Sequence, residues 1–148
     1  MKFSCQVTID QPIDKVIELF DDPNNMKHWQ DGFVSFEPIS GTPGQPGAKS
    51  RIIYEIGKKK APMELIETVL VRNLPHEFSG RYEHKHMTNS MKNYFKKLNT
   101  NQTHWTAEVE YTQLNSFMVK IMAFLMPGMF KKQVQKWMDQ FKAFAERG

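Results

Sequence analysis

The stretch SFMVKIMAFLMPGMFKKQVQKWMDQFKAFAE, running from Ser116 to Glu146, decides how this chain is read. Phe117, Ile121 and Phe124 recur at helical spacing, and so do Phe130, Val134, Trp137, Phe141 and Phe144. The pattern predicts one long amphipathic helix, interrupted at Pro127-Gly128. Proline lacks an N–H, so Pro127 should kink the helix or split it in two. A helix of about thirty residues spans about 45 Å at 1.5 Å per residue. Its apolar face needs a broad partner. The preceding segments read mainly as strands, and a curved sheet wrapped around one long helix can leave a cavity between the two. The kink either lets the helix follow the sheet or makes its first half a lid over the cavity mouth.

Working outward from that helix, Phe3, Cys5, Val7 and Ile9 alternate with polar residues, which predicts an opening strand with one buried face. Asp10 is placed to cap a helix with Pro12 in its first turn, where Ile13, Val16, Ile17 and Phe20 follow the i, i+3, i+4, i+7 pattern. Asp22-Pro23 opens a second short turn or helix in which Met26 and Trp29 share a face. Six strands are then expected: Phe33 to Ile39, Lys49 to Ile56, Met63 to Val71, Glu77 to His84, Met87 to Leu98 and Thr103 to Leu114. Gly41-Thr42-Pro43-Gly44-Gln45-Pro46-Gly47 joins the first two as a hairpin loop. It lies between strands, is broken by prolines and opens no helix, so it is not a phosphate-cradling loop.

A chain of 148 residues fits one domain over residues 1–148, large enough for a sizeable core. The net charge of +4 is unevenly placed, with the surplus of lysines in the middle segment, at Lys58-Lys59-Lys60 and Lys96-Lys97. Those charges read as solvated strand ends and turns, and no nucleic-acid partner is expected. Cys5 is the sole cysteine, so no internal disulfide forms. Met1 to Asp10 lacks a signal-peptide core, and no run is long and apolar enough to span a bilayer, since Lys120 and Pro127 break the best candidate. A cytoplasmic protein without stable membrane insertion is expected.

This order of elements resembles the START-like helix-grip superfamily, and within it the polyketide cyclase/dehydrase and lipid-transport branch. The resemblance is carried by the opening strand with Asp10-Gln11-Pro12-Ile13-Asp14-Lys15-Val16-Ile17-Glu18-Leu19-Phe20, by Asp22-Pro23 with Met26-Lys27-His28-Trp29, by the loop Gly41 to Ala48, and by the Phe- and Trp-bearing last helix. It implies an α+β helix-grip fold: a curved antiparallel sheet of about seven strands around a long C-terminal helix, with two short helices after the first strand. It also implies a hydrophobic or amphipathic small molecule held between sheet and helix, which some relatives cyclise or dehydrate and others transport, sense or hold. The scaffold carries many functions, so the chemistry has to be argued from the site.

Alternation assigns the faces. Trp105, Ala107, Val109 and Tyr111 should point toward the helix, as should Met91, Asn93 and Phe95, and Phe78, Gly80, Tyr82 and His84. With Trp29, Tyr54 and the helix residues Phe117, Ile121, Phe124 and Trp137, the large members of these sets are the candidate ligand contacts. They serve equally as core. Asn93 and His84 stand out as polar side chains on apolar faces, and a buried Asn93 needs a partner such as Tyr82, Tyr111 or a ligand. His84 and His86 lack a nearby Asp or Cys to complete a metal set, so neither metal nor cofactor is expected.

The leading expectation is a non-catalytic binding protein for a lipid-like, aromatic or polyketide-like molecule. The alternative is a cyclase or dehydratase, for which His84, Glu55, Glu67 and Tyr82 are the candidate acids or bases, with Asn93 orienting. Glu67 interrupts the apolar register of its strand; it could point inward, and an exposed face is the favoured reading. Nothing in the sequence places two such groups together, so no catalytic residue is assigned. A partner-binding module is the third class. Met118, Met122, Met126, Met129 and Met138, half of the ten methionines, leave apolar groups on more than one face of the last helix. A homodimer or light membrane contact would bury them.

Overall fold

The computed structural model describes residues 1–126 and 128–148. Seven strands form one antiparallel sheet: β1 Lys2–Ile9, β2 Phe33–Ser40, β3 Lys49–Ile56, β4 Ala61–Asn73, β5 Glu77–His84, β6 Met87–Asn99 and β7 Gln102–Leu114. Their order is β1-β7-β6-β5-β4-β3-β2, so β2 to β7 is a plain meander and β1 closes onto β7. Between β1 and β2, α1 Ile13–Phe20, a 3₁₀ turn Pro23–Asn25 and α2 Met26–Trp29 carry the chain from one sheet edge to the other. The C-terminal region forms α3 Phe117–Leu125 and α4 Gly128–Arg147. This is the α+β helix-grip architecture the resemblance implies, and every expected strand is present, with β2, β6 and β7 longer by one residue and β4 by two at each end.

Asp22 caps the 3₁₀ turn by accepting the main-chain N–H of Asn24 at 2.9 Å. The expected cap of α1 by Asp10 is not made. The capping position is Pro12, two residues further on. The Asp10 main-chain N–H is bonded to the Glu146 carboxylate at 2.6 Å and its own carboxylate accepts from Gln102, ties that lock the β1–α1 corner to the end of α4. Gln11 reinforces them by donating to the carbonyl of Ala145, one of the orphan acceptors at a helix C-terminus.

The expected single packed helix needs correction. Only its second part grips the sheet. α4 presents Val134, Trp137, Met138, Phe141, Phe144 and Ala145 as one stripe with lysines and glutamines opposite, and that stripe packs on β1, α1 and α2. α3 has no buried residue. Apart from Lys120 it is apolar all round, so it has no stripe to turn inward and no polar face to turn outward. The helix stops at Leu125 and resumes at Gly128, and the expected kink or lid hinge at Pro127 itself lies outside the described residues.

The core is an aromatic cluster under β1, β7 and β6. Phe20 sits at its centre, with ring centroids 4.9 Å from Phe95, 5.5 Å from Trp105 and 5.9 Å from Phe78, all edge-on. Trp29 and Phe141 meet Trp105 and each other edge-on at 5.2–5.9 Å. Edge-to-face pairs of this kind add to the area term of burial. Cys5, Val7, Ile9, Ala107, Met138 and Ala145 complete the cluster.

Candidate functional site

Away from that cluster, toward the end of the sheet where β3 turns into β4 and β5 into β6, the concave face changes character. The strand register places Ser50 opposite Glu67, Glu67 opposite Tyr82, Tyr82 opposite Asn89, and Asn89 opposite Tyr111. Side chains of partnered residues share a face, so a polar row crosses five strands. Apolar positions flank it, among them Leu65, Val69, Met91 and Val109.

Tyr82 and Glu67 are bonded within this row: the Tyr82 hydroxyl donates to Glu67 Oε2 at 2.9 Å. Both side chains are half-buried, deep in the concavity and still reached by solvent. Burial pushes the Glu67 carboxyl above its usual range, against the pull of the Tyr82 hydrogen bond. Burial also raises the Tyr82 phenol, and the Glu67 charge raises it further. Gly80 makes the arrangement fit. A Cβ there would stand 3.0 Å from the Tyr82 hydroxyl oxygen and 3.2 Å from its ring, so the tyrosine lies over the missing side chain. The pair sets a carboxyl that burial makes harder to ionise beside a phenol, a combination that can donate to and accept from a ligand oxygen.

Other expected site residues frame the pair. Tyr54 is 3 % exposed, stacks on Trp137 at 5.0 Å and donates its hydroxyl to Gln30 Oε1 at 2.8 Å. Trp137 donates its indole N–H to the carbonyl of Asp31. Tyr111 packs against Phe3 and Phe130, and burial pushes its phenol up to about 12. Met91 is half-buried beside the row.

The remaining candidates lie elsewhere. Trp29, Phe95 and Trp105 are interlocked in the aromatic cluster, with Phe78 on its margin. Asn93, 2 % exposed, pairs with neither Tyr82 nor Tyr111. Its carbonyl accepts the Trp105 indole N–H at 2.9 Å and its amide donates to the carbonyl of Phe78 at 3.2 Å. Phe117 and Phe124 stand in solvent, 76 % and 84 % exposed, with Ile121 half-buried between them. Glu55 is exposed, and His84 accepts from the main-chain N–H of His86 with its pKa lowered by burial first and by its neighbours His86 and Lys85 second. Among the described residues no group of three or more His, Cys, Asp or Glu side chains could hold a metal ion.

Glu67 corrects the expectation of an exposed side chain. The signal that could have placed it is the register: once Tyr82 faces inward, the β4 residue opposite must face inward too. Asn89 and Ser50 were not singled out, because short polar residues near strand ends resemble ordinary turn flanks.

The sheet, the gripping α4 and the open concavity define a helix-grip protein. The chain belongs to the polyketide cyclase / dehydrase and lipid transport family, whose model matches residues 1–146. No curated protein matches it in sequence. Solved structures share the fold at low identity. The Zhui aromatase/cyclase from a Streptomyces species superimposes with a TM-score of 0.83 at 11 % identity, over 99 % of this chain and 94 % of that one. A conserved protein from Geobacillus kaustophilus gives 0.81 at 14 % identity, over 99 % and 96 %. A START superfamily protein from Mycobacterium smegmatis gives 0.66 at 14 % identity, over 94 % and 97 %. No described helix is long and apolar enough to cross a membrane.

Proposed function

We propose that the protein binds a hydrophobic or amphipathic small molecule, lipid-like or aromatic, along the open part of its concave face. The observation that carries this reading is the Glu67–Tyr82 pair, a hydrogen-bonded polar group set among apolar side chains and reached by solvent. Binding sites for such molecules are mostly apolar with a few placed polar groups that fix orientation. The apolar body of the ligand lies against Met91 and Leu65, and an oxygen-bearing group meets Glu67 and Tyr82. Family membership supports the class of ligand without selecting one.

A second reading rests on the same pair. A carboxyl whose pKa is raised by burial holds its proton more tightly than an exposed one and can serve as a proton donor, and a phenol within hydrogen-bond reach can polarise the same ligand oxygen. Cyclisation or loss of water from a carbonyl-bearing ligand needs such a donor, and the likeness to an aromatase/cyclase agrees with it.

Native mass spectrometry of the purified protein, followed by extraction of what it carries, tests the binding reading. The expected result is a co-purifying lipid or aromatic compound whose load falls in Glu67→Gln and Tyr82→Phe. An empty wild-type protein, or equal loads in both variants, would overturn it. Conversion of the extracted compound by wild type and not by Glu67→Gln would select the enzyme.

A further inference from the structure

α3 is a nine-residue helix, FMVKIMAFL, with no buried residue, and Met126 continues its apolar surface. Phe117, Met118, Phe124, Leu125 and Met126 are each more than half exposed. A soluble monomer does not ordinarily leave so compact an apolar surface in water.

The topology decides what surrounds it. β3 turns into β4, β5 into β6 and β7 into α3 at one end of the sheet, since Ile56 pairs with Ala61, His84 with Met87 and Met87 with Leu114. The Asn115 main-chain N–H donates to the carbonyl of His86, tying the start of α3 to the β5–β6 turn. The first turn of α4 is at this end too, with the Phe130 ring 4.8 Å from that of Tyr111. That end therefore carries Lys58, Lys59 and Lys60 in the first turn, Lys85 in the second, Lys120 on α3, and Lys131 and Lys132 on α4, all exposed. Among the described residues none of these seven is in a salt bridge. Toward the same end the carboxylates of Asp31, Glu83 and Glu110 are held by Lys136, Arg81 and Lys2 respectively.

We infer that this end of the molecule docks on an anionic lipid bilayer, with α3 lying in the interface and the lysines at headgroup level. An apolar helix at the end of the molecule that carries seven lysines outside any salt bridge is what a surface-lying anchor requires: the apolar side chains enter the acyl boundary and the cations meet lipid phosphates. The same charges disfavour a second copy of this chain as the occupant. A two-fold interface would set the seven lysines of one protomer against those of the other. The inference does not rest on the ligand reading, since an empty protein would dock equally well.

Co-sedimentation of the full chain with vesicles tests it, using phosphatidylcholine doped with phosphatidylglycerol against phosphatidylcholine alone, at low and high salt. Binding is expected on the anionic vesicles and should fall as salt screens the lysines. Phe124→Asp should weaken it about tenfold or more, the worth of one buried aromatic side chain. The triple variant Lys58→Glu, Lys59→Glu, Lys60→Glu should weaken it at least about a hundredfold, since removing each positive charge alone costs about a factor of five and the added carboxylates repel the lipid phosphates. Thermal melts of both variants verify that they fold. Failure of the wild type to bind anionic vesicles would overturn the inference, as would undiminished binding by folded Phe124→Asp. A protein dimer in sedimentation equilibrium that Phe124→Asp dissolves would also overturn it, by showing α3 already covered. None of these failures touches the ligand reading, which is tested by extraction.

Discussion

Tyr82 donates its hydroxyl to Glu67 from the neighbouring strand, across 2.9 Å, and its ring occupies the space left by the missing side chain of Gly80. Register sets the two residues opposite each other, a glycine on the same face gives the ring room to fold down, and burial then raises the pKa of the carboxyl it meets.

The pH dependence of stability follows from that carboxyl. Its folded pKa lies above the usual 4.5, chiefly through burial, so the native state holds the Glu67 proton more tightly than the unfolded chain does. The contribution is fully present below the unfolded value. It declines as pH rises through 4.5 toward the raised folded value, because the native state then has to accommodate a buried charge. Glu67→Gln removes the titration. Thermal melts of both proteins from acid to neutral pH should therefore show the variant gaining on wild type as pH rises. Parallel curves would mean that Glu67 titrates as an exposed carboxylate does.

Gly80→Ala should act on the site and spare the fold. The new methyl would sit 3.0–3.2 Å from the Tyr82 side chain, so the ring has to give by a few tenths of an ångström, which strains its 2.9 Å bond to Glu67. One lost hydrogen bond costs about 1 kcal/mol, and Gly80 has no positive φ that alanine would strain. A small shift in the melting temperature with a large fall in extracted ligand is the expected result. Unchanged ligand load in a folded Gly80→Ala protein would remove the Tyr82 bond from the site.

The strands were legible because alternation is a period-two signal that burial on one face enforces. Lys49–Ile56 and Glu77–His84 end where the pattern says they end. The aromatic faces of β5, β6 and β7 were legible for the same reason. Glu67 was not, since a single carboxylate in an apolar strand reads as an exposed position until its cross-strand partner is known. Phe117 and Phe124 have perfect helical spacing and yet stand in solvent. Spacing reports which residues share a face of a helix, and only tertiary structure says what that face meets. Asn93 was legible as a buried polar group and misleading in its partner, because the Trp105 indole N–H comes from the next strand.

Asn93→Leu tests that partner. The substitution leaves the fully buried Trp105 indole N–H without its acceptor and removes the bond to the carbonyl of Phe78. An orphaned buried donor costs about 1–3 kcal/mol. Urea denaturation should show the midpoint falling accordingly with an unchanged slope, which is the mark of lost stability without a change in the surface exposed on unfolding. A ligand-load defect without a stability defect would return Asn93 to the ligand site.

The two halves of the C-terminal region should differ sharply when each loses an aromatic ring. Phe141 is fully buried and its ring meets Phe20, Trp29 and Trp105, so Phe141→Ala opens a cavity in the centre of the fold. Such truncations cost about 3–5 kcal/mol, a large share of the stability of a domain this size. Phe124 is 84 % exposed and contributes nothing to that cluster, so Phe124→Ala should stay within about 0.5 kcal/mol of wild type. Denaturation of the two variants side by side measures both. Equal losses would mean that α3 packs onto the protein in solution and that its exposed ring is a buried one. A large loss at Phe141 alone would establish that α4 holds the fold together, leaving the apolar surface of α3 to be explained by what it touches outside the chain.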